Sequence, residues 1–114
     1  MNYTIDATNK SLGRLATEVA TILMGKHDAS FVRNAVSAHT VTVTNASKIK
    51  QDPRKMQTKL YKSFSGYPGG LKESNMEHVA KTKGFSTIVS NAVKGMLPDN
   101  RLKKDMMKKL TITE

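Results

Sequence analysis

One apolar segment limits the folds open to this chain more than any other feature. Segment 12–23 places apolar side chains at helical spacing, namely Leu12, Leu15, Ala16, Val19, Ala20 and Leu23. Ser11 precedes them as a candidate N-cap, and Gly25 follows them as a helix stop. Alternating apolar residues at 3–7 and 41–44 predict a strand on either side, and these strands are expected to be parallel because a helix separates them. The pattern predicts a right-handed strand, helix, strand unit and therefore an α/β fold.

Length and charge narrow the class of protein. The 114 residues suit a single domain over 1–114. Lys and Arg number 19 against 9 Asp and Glu, and the net charge of +10 is best explained by a polyanionic partner. No window is apolar enough for a spanning helix and the start lacks a signal-peptide pattern, so we expect a protein that is neither membrane-bound nor exported. Cys is absent, which excludes disulfides, thiolate nucleophiles and thiolate metal sites.

The middle of the chain predicts short elements around a turn. Segment 58–64 has the pattern of an extended strand that is half apolar and half basic. The Gly and Pro residues of 66–70 then predict a turn or an exposed loop. Ser74 and Glu77 have the spacing of a capping box, which predicts the start of a short helix.

The last third predicts two more helices and a strand. Apolar residues at 88–96 lie on one helical face, and Pro98 enforces a stop. Asn100 is a candidate cap for a final helix, and a short strand is expected at 111–113. The apolar side of that final helix is expected to consist of Leu102, Met106 and Leu110.

Catalytic and metal-binding patterns are absent from the sequence. His27, His39 and His78 are far apart and form no two-ligand spacing, so we expect no metal site. No Ser lies in a nucleophile elbow, and no pair of carboxylates is grouped as acid and base. We therefore expect no catalytic residue and no cofactor.

The turn before the first helix has two interpretations. It follows a strand and opens a helix, where a phosphate is often bound, and Lys10, Ser11 and Arg14 are suited to that role. It lacks the glycine fingerprint of a dinucleotide site and the Gly-Lys-Ser/Thr end of a P-loop. Alternatively, Gly13 allows close helix packing and the two cations are solvated surface. This feature alone favours the second interpretation.

The spread of the cations favours RNA. They fall on separate predicted loops and helix ends, which suits many phosphates of a folded RNA better than one DNA-reading helix does. Aromatic residues make up 5%, so recognition of backbone and shape is favoured over stacking. Tyr61 and Tyr67 are candidates for stacking, although packing within their own loop is the commoner role of such residues. Near the end of the chain five cations face Asp105 alone, which favours binding over an ordinary solvated face.

Several motifs resemble one known family. They are the segment 3–16 (Tyr-Thr-Ile-Asp-Ala-Thr-Asn-Lys-Ser-Leu-Gly-Arg-Leu-Ala), Met24-Gly-Lys-His27, Tyr67-Pro-Gly-Gly-Leu-Lys72, Ala92-Val-Lys-Gly-Met-Leu-Pro98 and Lys108-Lys-Leu110. In this order, over nearly the whole chain, they resemble the bacterial form of large-subunit ribosomal protein thirteen. The resemblance implies a three-layer α/β/α domain on a small, mostly parallel sheet of about four strands.

The resemblance also implies a function and a set of contact residues. It implies a structural constituent of the large ribosomal subunit that binds large-subunit rRNA, assembles early and supports translation. The family's RNA-facing segments fall on 10–14, 25–27, 59–70 and 94–98, and the basic final helix is a weaker transfer. Together with the charge pattern, this gives as candidate RNA-binding residues Lys10, Ser11, Arg14, Lys26, His27, Arg33, Lys59, Lys62, Tyr67, Lys94, Arg101, Lys103, Lys104, Lys108 and Lys109.

Partners and alternatives follow from the same resemblance. Expected partners are large-subunit rRNA and neighbouring ribosomal proteins, with no small-molecule substrate, in a protein that is monomeric within the ribosome and lies in a bacterial cytoplasm. Segment 33–40 departs from the family, which usually has a His and an acidic, Gly-containing run there. One alternative is a free RNA-binding regulator or assembly factor. Another is an enzyme acting on a phosphorylated substrate at Ser11, against which the missing acid, base and metal ligands argue.

Overall fold

The main sheet of the computed structural model, which describes residues 1–114, has three parallel strands. They are β1 (Asn2–Asp6), β2 (Thr40–Thr44) and β5 (Leu110–Ile112), in the order β1-β2-β5. Ile5 pairs with Val43, and Val43 in turn pairs with Ile112. The predicted parallel pairing of the first two strands is confirmed.

Two helices cover one face of this sheet. They are α1 (Leu12–Met24) and α4 (Phe85–Met96), and they pack against each other. Their buried side chains join the alternate strand residues in one core of Ile5, Leu15, Val19, Leu23, Val41, Val43, Val89 and Val93 among others. Burying each large aliphatic side chain stabilises the fold by about 1.5 to 3 kcal/mol. The predicted start after Ser11 is confirmed, and so is the stop at Gly25, whose φ of 79° suits glycine.

The opposite face of the sheet carries threonines. Thr42 and Thr44 of the central strand are half-buried there, while Thr4 and Thr111 on the flanking strands are exposed. The flanking strands are therefore open to solvent on this face, and the central strand is partly covered. The single α/β domain and the mostly parallel sheet are confirmed. In detail, the main sheet has three strands, and the other two strands form a separate antiparallel pair.

A second unit holds an antiparallel pair of strands. After α2 (Pro53–Thr58), β3 (Leu60–Phe64) and β4 (Leu71–Asn75) form a hairpin that leads into α3 (Met76–Lys83). The connection between the strands contains the predicted turn, in which Gly66 and Gly69 have φ values of 88° and 76°. A small buried cluster fixes this unit to α4, and it consists of Met76, Val79 and Ile88. The extended segment is confirmed, except that Thr58 ends α2.

Two sequence predictions about helix ends were wrong. The cap of α3 is Asn75 and not Ser74, because Asn75 Oδ1 accepts a hydrogen bond of 2.8 Å from the His78 amide. The last helix, α5 (Lys103–Lys108), is shorter than expected, so Leu110 belongs to β5. Asn100 does contribute its side chain, since its Oδ1 accepts from the Leu102 amide at 3.1 Å.

None of the helices combines the length and the apolar character needed to cross a membrane.

Candidate nucleic-acid interface

Basic residues gather at the edge of the main sheet where β1 and β2 end, here called the carboxyl edge. The chain segments that follow these two strands run side by side. The Lys50 amide donates to the Lys10 carbonyl at 2.9 Å, and the Asn9 amide donates to the Lys48 carbonyl at 3.0 Å. Lys48 and Lys50 therefore lie beside Lys10 although almost 40 residues separate them in sequence. In α/β proteins this edge is where ligands usually bind.

An open groove of about 1010 Å³ lies at the carboxyl edge. The start of α1, segment 49–55 and one side of α4 line it. Arg14, Lys50 and Lys55 supply its cations, and none of them has a carboxylate within 4.0 Å. The groove therefore offers three positive side chains without protein counter-ions to an anion.

Both carboxylates in the groove already have protein partners. Glu18 pairs with Lys10 at 3.1 Å. Asp52 caps α2, since its Oδ1 accepts from the Arg54 amide at 3.0 Å. The Lys10 pair is exposed, and such pairs contribute about 0 to 1 kcal/mol, so a phosphate can compete for Lys10.

Ser11 and the first turn of α1 line this groove. Its backbone is extended, with φ of −71° and ψ of 144°, and its hydroxyl makes no capping bond. The first amides of a helix have no partner within the helix and carry a partial positive charge. The hydroxyl of Ser11 and the amides of the first turn can therefore donate to the same phosphate that Arg14 attracts.

More cations lie at the opposite edge of the sheet, called the amino edge, where the strands begin. Lys26 and His27 follow α1, Arg33 lies in the connection to β2, and Lys108 and Lys109 precede β5. The two edges are separated by the length of α1, whose 13 residues span about 20 Å. The structure thus places these predicted residues at two opposite edges of the sheet.

The amino-edge residues differ in the contacts that their side chains make with the rest of the protein. Lys26 and Arg33 are exposed and have no acidic partner. His27 Nε2 is hydrogen-bonded to the Tyr3 hydroxyl at 3.1 Å. The Lys109 ammonium donates to the Ser37 carbonyl and is half-buried. Lys26 and Arg33 are therefore the freest charges at this edge.

A histidine and an aspartate lie beside His27. His39 Nε2 is 2.5 Å from Asp28 Oδ2, and this hydrogen bond is the main reason why the pKa of the Asp28 carboxyl is lowered. His39 was not among the predicted site residues. Its proximity to His27 depends on how the connection 28–39 folds back, which the sequence pattern does not show.

The hairpin presents a third group of candidate RNA-binding residues. Tyr67 is 75% exposed in the connection between β3 and β4. Tyr61, in contrast, packs against the cluster of Met76 and Ile88, and burial raises the pKa of its phenol. Of the two tyrosines that the sequence offered for stacking, the structure leaves Tyr67 accessible and uses Tyr61 for packing.

The hairpin lysines are both exposed. The Lys59 ammonium lies 5.9 Å from the centre of the Tyr61 ring, and Lys62 lies 3.7 Å from Glu73 on the neighbouring strand. A cation over an aromatic ring and an exposed ion pair are both weak contacts. Both lysines therefore remain available to an anionic partner.

The remaining predicted residues lie around α4 and α5 and differ in accessibility. Lys94 is exposed on the side of α4 that also carries Ser90, away from the groove. Lys103 is 18% exposed and lies 3.9 Å from Asp99, and Lys108 lies 3.7 Å from Asp105. Arg101 and Lys104 are exposed without an acidic partner. The structure therefore does not bring Lys94 together with Lys10 and Arg14.

Sequence reasoning missed Lys48, Lys50 and Lys55 as members of the carboxyl-edge group. Asp52 followed by Pro53 is a cap and first-turn signal that could have predicted α2, and with it the position of Lys55. No local signal marks Lys50, because its place beside Lys10 is a tertiary contact.

The fold and the charge distribution define a small basic α/β protein with cations at both edges of its sheet. The family model described as Ribosomal protein L13 matches residues 1–114. A protein of Natranaerobius thermophilus named "Large ribosomal subunit protein uL13" is 50% identical over 110 residues, which is 96% of this chain and 76% of that protein. The chain belongs to the ribosomal protein L13 family, in its bacterial form.

Two further relatives carry the same name. The protein of Synechococcus sp. (strain CC9311) is 46% identical over 96% of this chain and 73% of its own length. That of Syntrophotalea carbinolica is 43% identical over 96% of this chain and 77% of its own length. The family assignment made from the sequence motifs is confirmed.

Proposed function

We propose that this protein is a structural constituent of the large ribosomal subunit that binds large-subunit rRNA through phosphate contacts on several sides of the domain. The observation that carries the proposal is membership of the L13 family over residues 1–114. The positions of cations without protein counter-ions support it, because Arg14 and Lys50 lie at one edge of the sheet and Lys26 and Arg33 at the other. A folded RNA that touches both edges is bound in one orientation.

The proposed contacts are those of the candidate residues, with the groove lysines added. Phosphate contacts come first from Arg14, Lys26, Arg33, Lys50 and Lys55, whose charges have no carboxylate within 4.0 Å. Lysines in exposed ion pairs join them by exchanging a carboxylate for a phosphate at small cost. The contacts that neutralise phosphates make the affinity depend strongly on salt.

The role we propose is structural and not catalytic. General acid and base catalysis uses a positioned side chain that is free to exchange a proton, such as a histidine or a carboxylate. In the groove at the carboxyl edge, Glu18 is paired with Lys10 and Asp52 is committed to capping α2. Neighbouring ribosomal proteins complete the set of proposed partners, and the bacterial cytoplasm is the proposed location.

Mass spectrometry of purified large subunits tests this function. We expect one copy of the polypeptide per subunit, and we expect it to stay bound after a high-salt wash. A free regulator or assembly factor would instead wash off or be present at much less than one copy. That result would contradict the proposal while leaving the family assignment intact.

A further inference from the structure

A cluster of metal-ligating side chains lies at the amino edge of the sheet. His27, Asp28 and His39 each offer a ligand atom, and these atoms lie within 4.8 Å of one another. We propose that these three residues form a binding site for a divalent late transition-metal ion such as Zn²⁺. His27 is also a candidate RNA-binding residue, whereas Asp28 and His39 belong to this site alone.

The ligand atoms lie within 4.8 Å of one another, and short side-chain movements would bring them to the separation that a metal ion requires. Zn²⁺ binds imidazole nitrogen and carboxylate oxygen at about 2.0 to 2.2 Å, so ligand atoms around it are separated by about 3.3 Å. His39 Nε2 and Asp28 Oδ2 are closer than this, at 2.5 Å, and share a hydrogen bond whose proton an ion would replace. His27 and Asp28 are exposed, so both can rotate the short distance that is needed.

The ring of Tyr3 packs against both imidazole rings. Its ring meets those of His27 and His39 edge to face, with centroids 5.4 and 5.3 Å away, and its hydroxyl is hydrogen-bonded to His27 Nε2 at 3.1 Å. The two imidazoles lie 4.8 Å apart. In metal sites an outer group regularly holds the histidine nitrogen that does not bind the ion, and with Tyr3 on Nε2 this leaves Nδ1 of His27 for the ion.

His39 itself is unusual in its surroundings. Its side chain is 12% exposed, and its Nδ1 atom is buried without a hydrogen-bond partner. The contact with Asp28 is thus the main polar contact of its ring. A cavity of about 240 Å³, lined in part by Asp28 and His39, adjoins the cluster and has room for the water that would complete the coordination.

The choice of ion follows from the ligands. Two imidazoles and one carboxylate suit Zn²⁺ and its neighbours, whereas Mg²⁺ and Ca²⁺ prefer oxygen ligands alone. An ion bound here would link the end of α1 to the start of β2. It would thereby close the connection 28–39, which contains no helix or strand and exposes Phe31 and Val32. We therefore expect the ion to stabilise the folded conformation of this connection.

Calorimetric titration of the full chain with Zn²⁺ tests the site. We expect one ion per chain for the wild type, and about tenfold or more weaker binding for His39→Gln. His78→Gln is the matched control, because His78 is exposed on α3 and lies outside the cluster, and it should bind like the wild type. Mg²⁺ in excess should not displace the Zn²⁺.

Spectroscopy and a second pair of variants keep the test decisive. Co²⁺ bound at the site should give visible absorption bands typical of low coordination number, which disappear in His39→Gln. If circular dichroism shows that His39→Gln is unfolded, Asp28→Asn and His27→Gln replace it, since both side chains are exposed. The site is overturned if the wild type does not bind Zn²⁺, or if these variants bind it as tightly as the wild type.

Discussion

The Lys50 amide donates a hydrogen bond of 2.9 Å to the Lys10 carbonyl, and this bond joins the two loops that form the carboxyl edge. A parallel bridge between Ser11 and Lys50 continues the contact. Because both loops follow parallel strands, their side chains emerge on the same side of the domain. The bond therefore places Lys50 in the groove that Arg14 enters from α1.

The first prediction concerns this pair of cations. Arg14→Gln combined with Lys50→Gln should weaken binding to large-subunit rRNA and make the negative slope of log affinity against log salt shallower by roughly 1.5 to 2. The physical reason is that two phosphates lose their cation and two fewer counterions are released. Filter binding or fluorescence titration at several salt concentrations measures the slope.

The matched control removes two charges elsewhere. Lys81 and Lys83 lie in the last turn of α3, outside the groove and the candidate set. Lys81→Gln combined with Lys83→Gln should leave the slope within error of the wild type. Equal losses in the two double variants would show that the RNA responds to total charge and not to the placement of Arg14 and Lys50.

The second prediction separates two lysines that the sequence treats alike. The Lys109 ammonium donates to the Ser37 carbonyl and is half-buried, whereas Lys104 is exposed without an acidic partner. Lys109→Met should lower the free energy of unfolding by about 1 kcal/mol through loss of a charge-assisted hydrogen bond. Lys104→Met should change it by less than about 0.5 kcal/mol.

Urea unfolding followed by circular dichroism measures both values. In RNA binding the order should reverse, with Lys104→Met weakening affinity more than Lys109→Met, because the free ammonium is the one available to phosphate. Identical unfolding curves for the two variants would contradict the structural role of Lys109.

The first strand, helix, strand unit could be predicted because its elements carry strong periodic patterns. Leu15, Val19 and Leu23 recur at helical spacing and are fully buried, so the pattern and the core coincide. The α2 helix gave no such pattern, since it has six residues and none is buried. The β4 strand likewise has no buried residue, and the sequence did not predict it.

The candidate site was predictable in part for the same reason. Arg14 and Lys26 lie at the ends of a well-marked helix, so their placement followed from the helix itself. Lys50 and His39 lie in loops, and each reaches its neighbours only through the packing of distant segments. Sequence spacing contains no information about such contacts, so only the structure reveals them.

The third prediction is a pH dependence at the end of β1. Asp6 accepts hydrogen bonds from the amide and hydroxyl of Thr8 and from the Asn45 side chain, which lowers its pKa from 3.8 to about 2. A carboxyl with a depressed pKa in the folded state stabilises the fold above its unfolded pKa. That contribution is lost as the pH falls from about 4 through 2.

Nuclear magnetic resonance titration of the Asp6 carboxyl carbon checks this directly. Thr8→Val removes the hydroxyl donor and should raise the pKa of Asp6 towards its ordinary value. Asp6→Asn should remove this part of the acid sensitivity of stability altogether. An Asp6 that titrates near 3.8 in the wild type would contradict the hydrogen-bond pattern at this strand end.

The fourth prediction contrasts the two hairpin tyrosines. Tyr67 is 75% exposed, so Tyr67→Ala should leave the free energy of unfolding within about 0.5 kcal/mol of the wild type. If its ring stacks on an unpaired base, the same change should weaken RNA binding by about 1 kcal/mol or more.

Tyr61 packs against the cluster that holds the hairpin to α4, so Tyr61→Ala should lower the free energy of unfolding by about 2 kcal/mol. Urea unfolding and RNA titration of the two variants decide between these roles, and a loss of stability in Tyr67→Ala with unchanged RNA affinity would reverse the assignment.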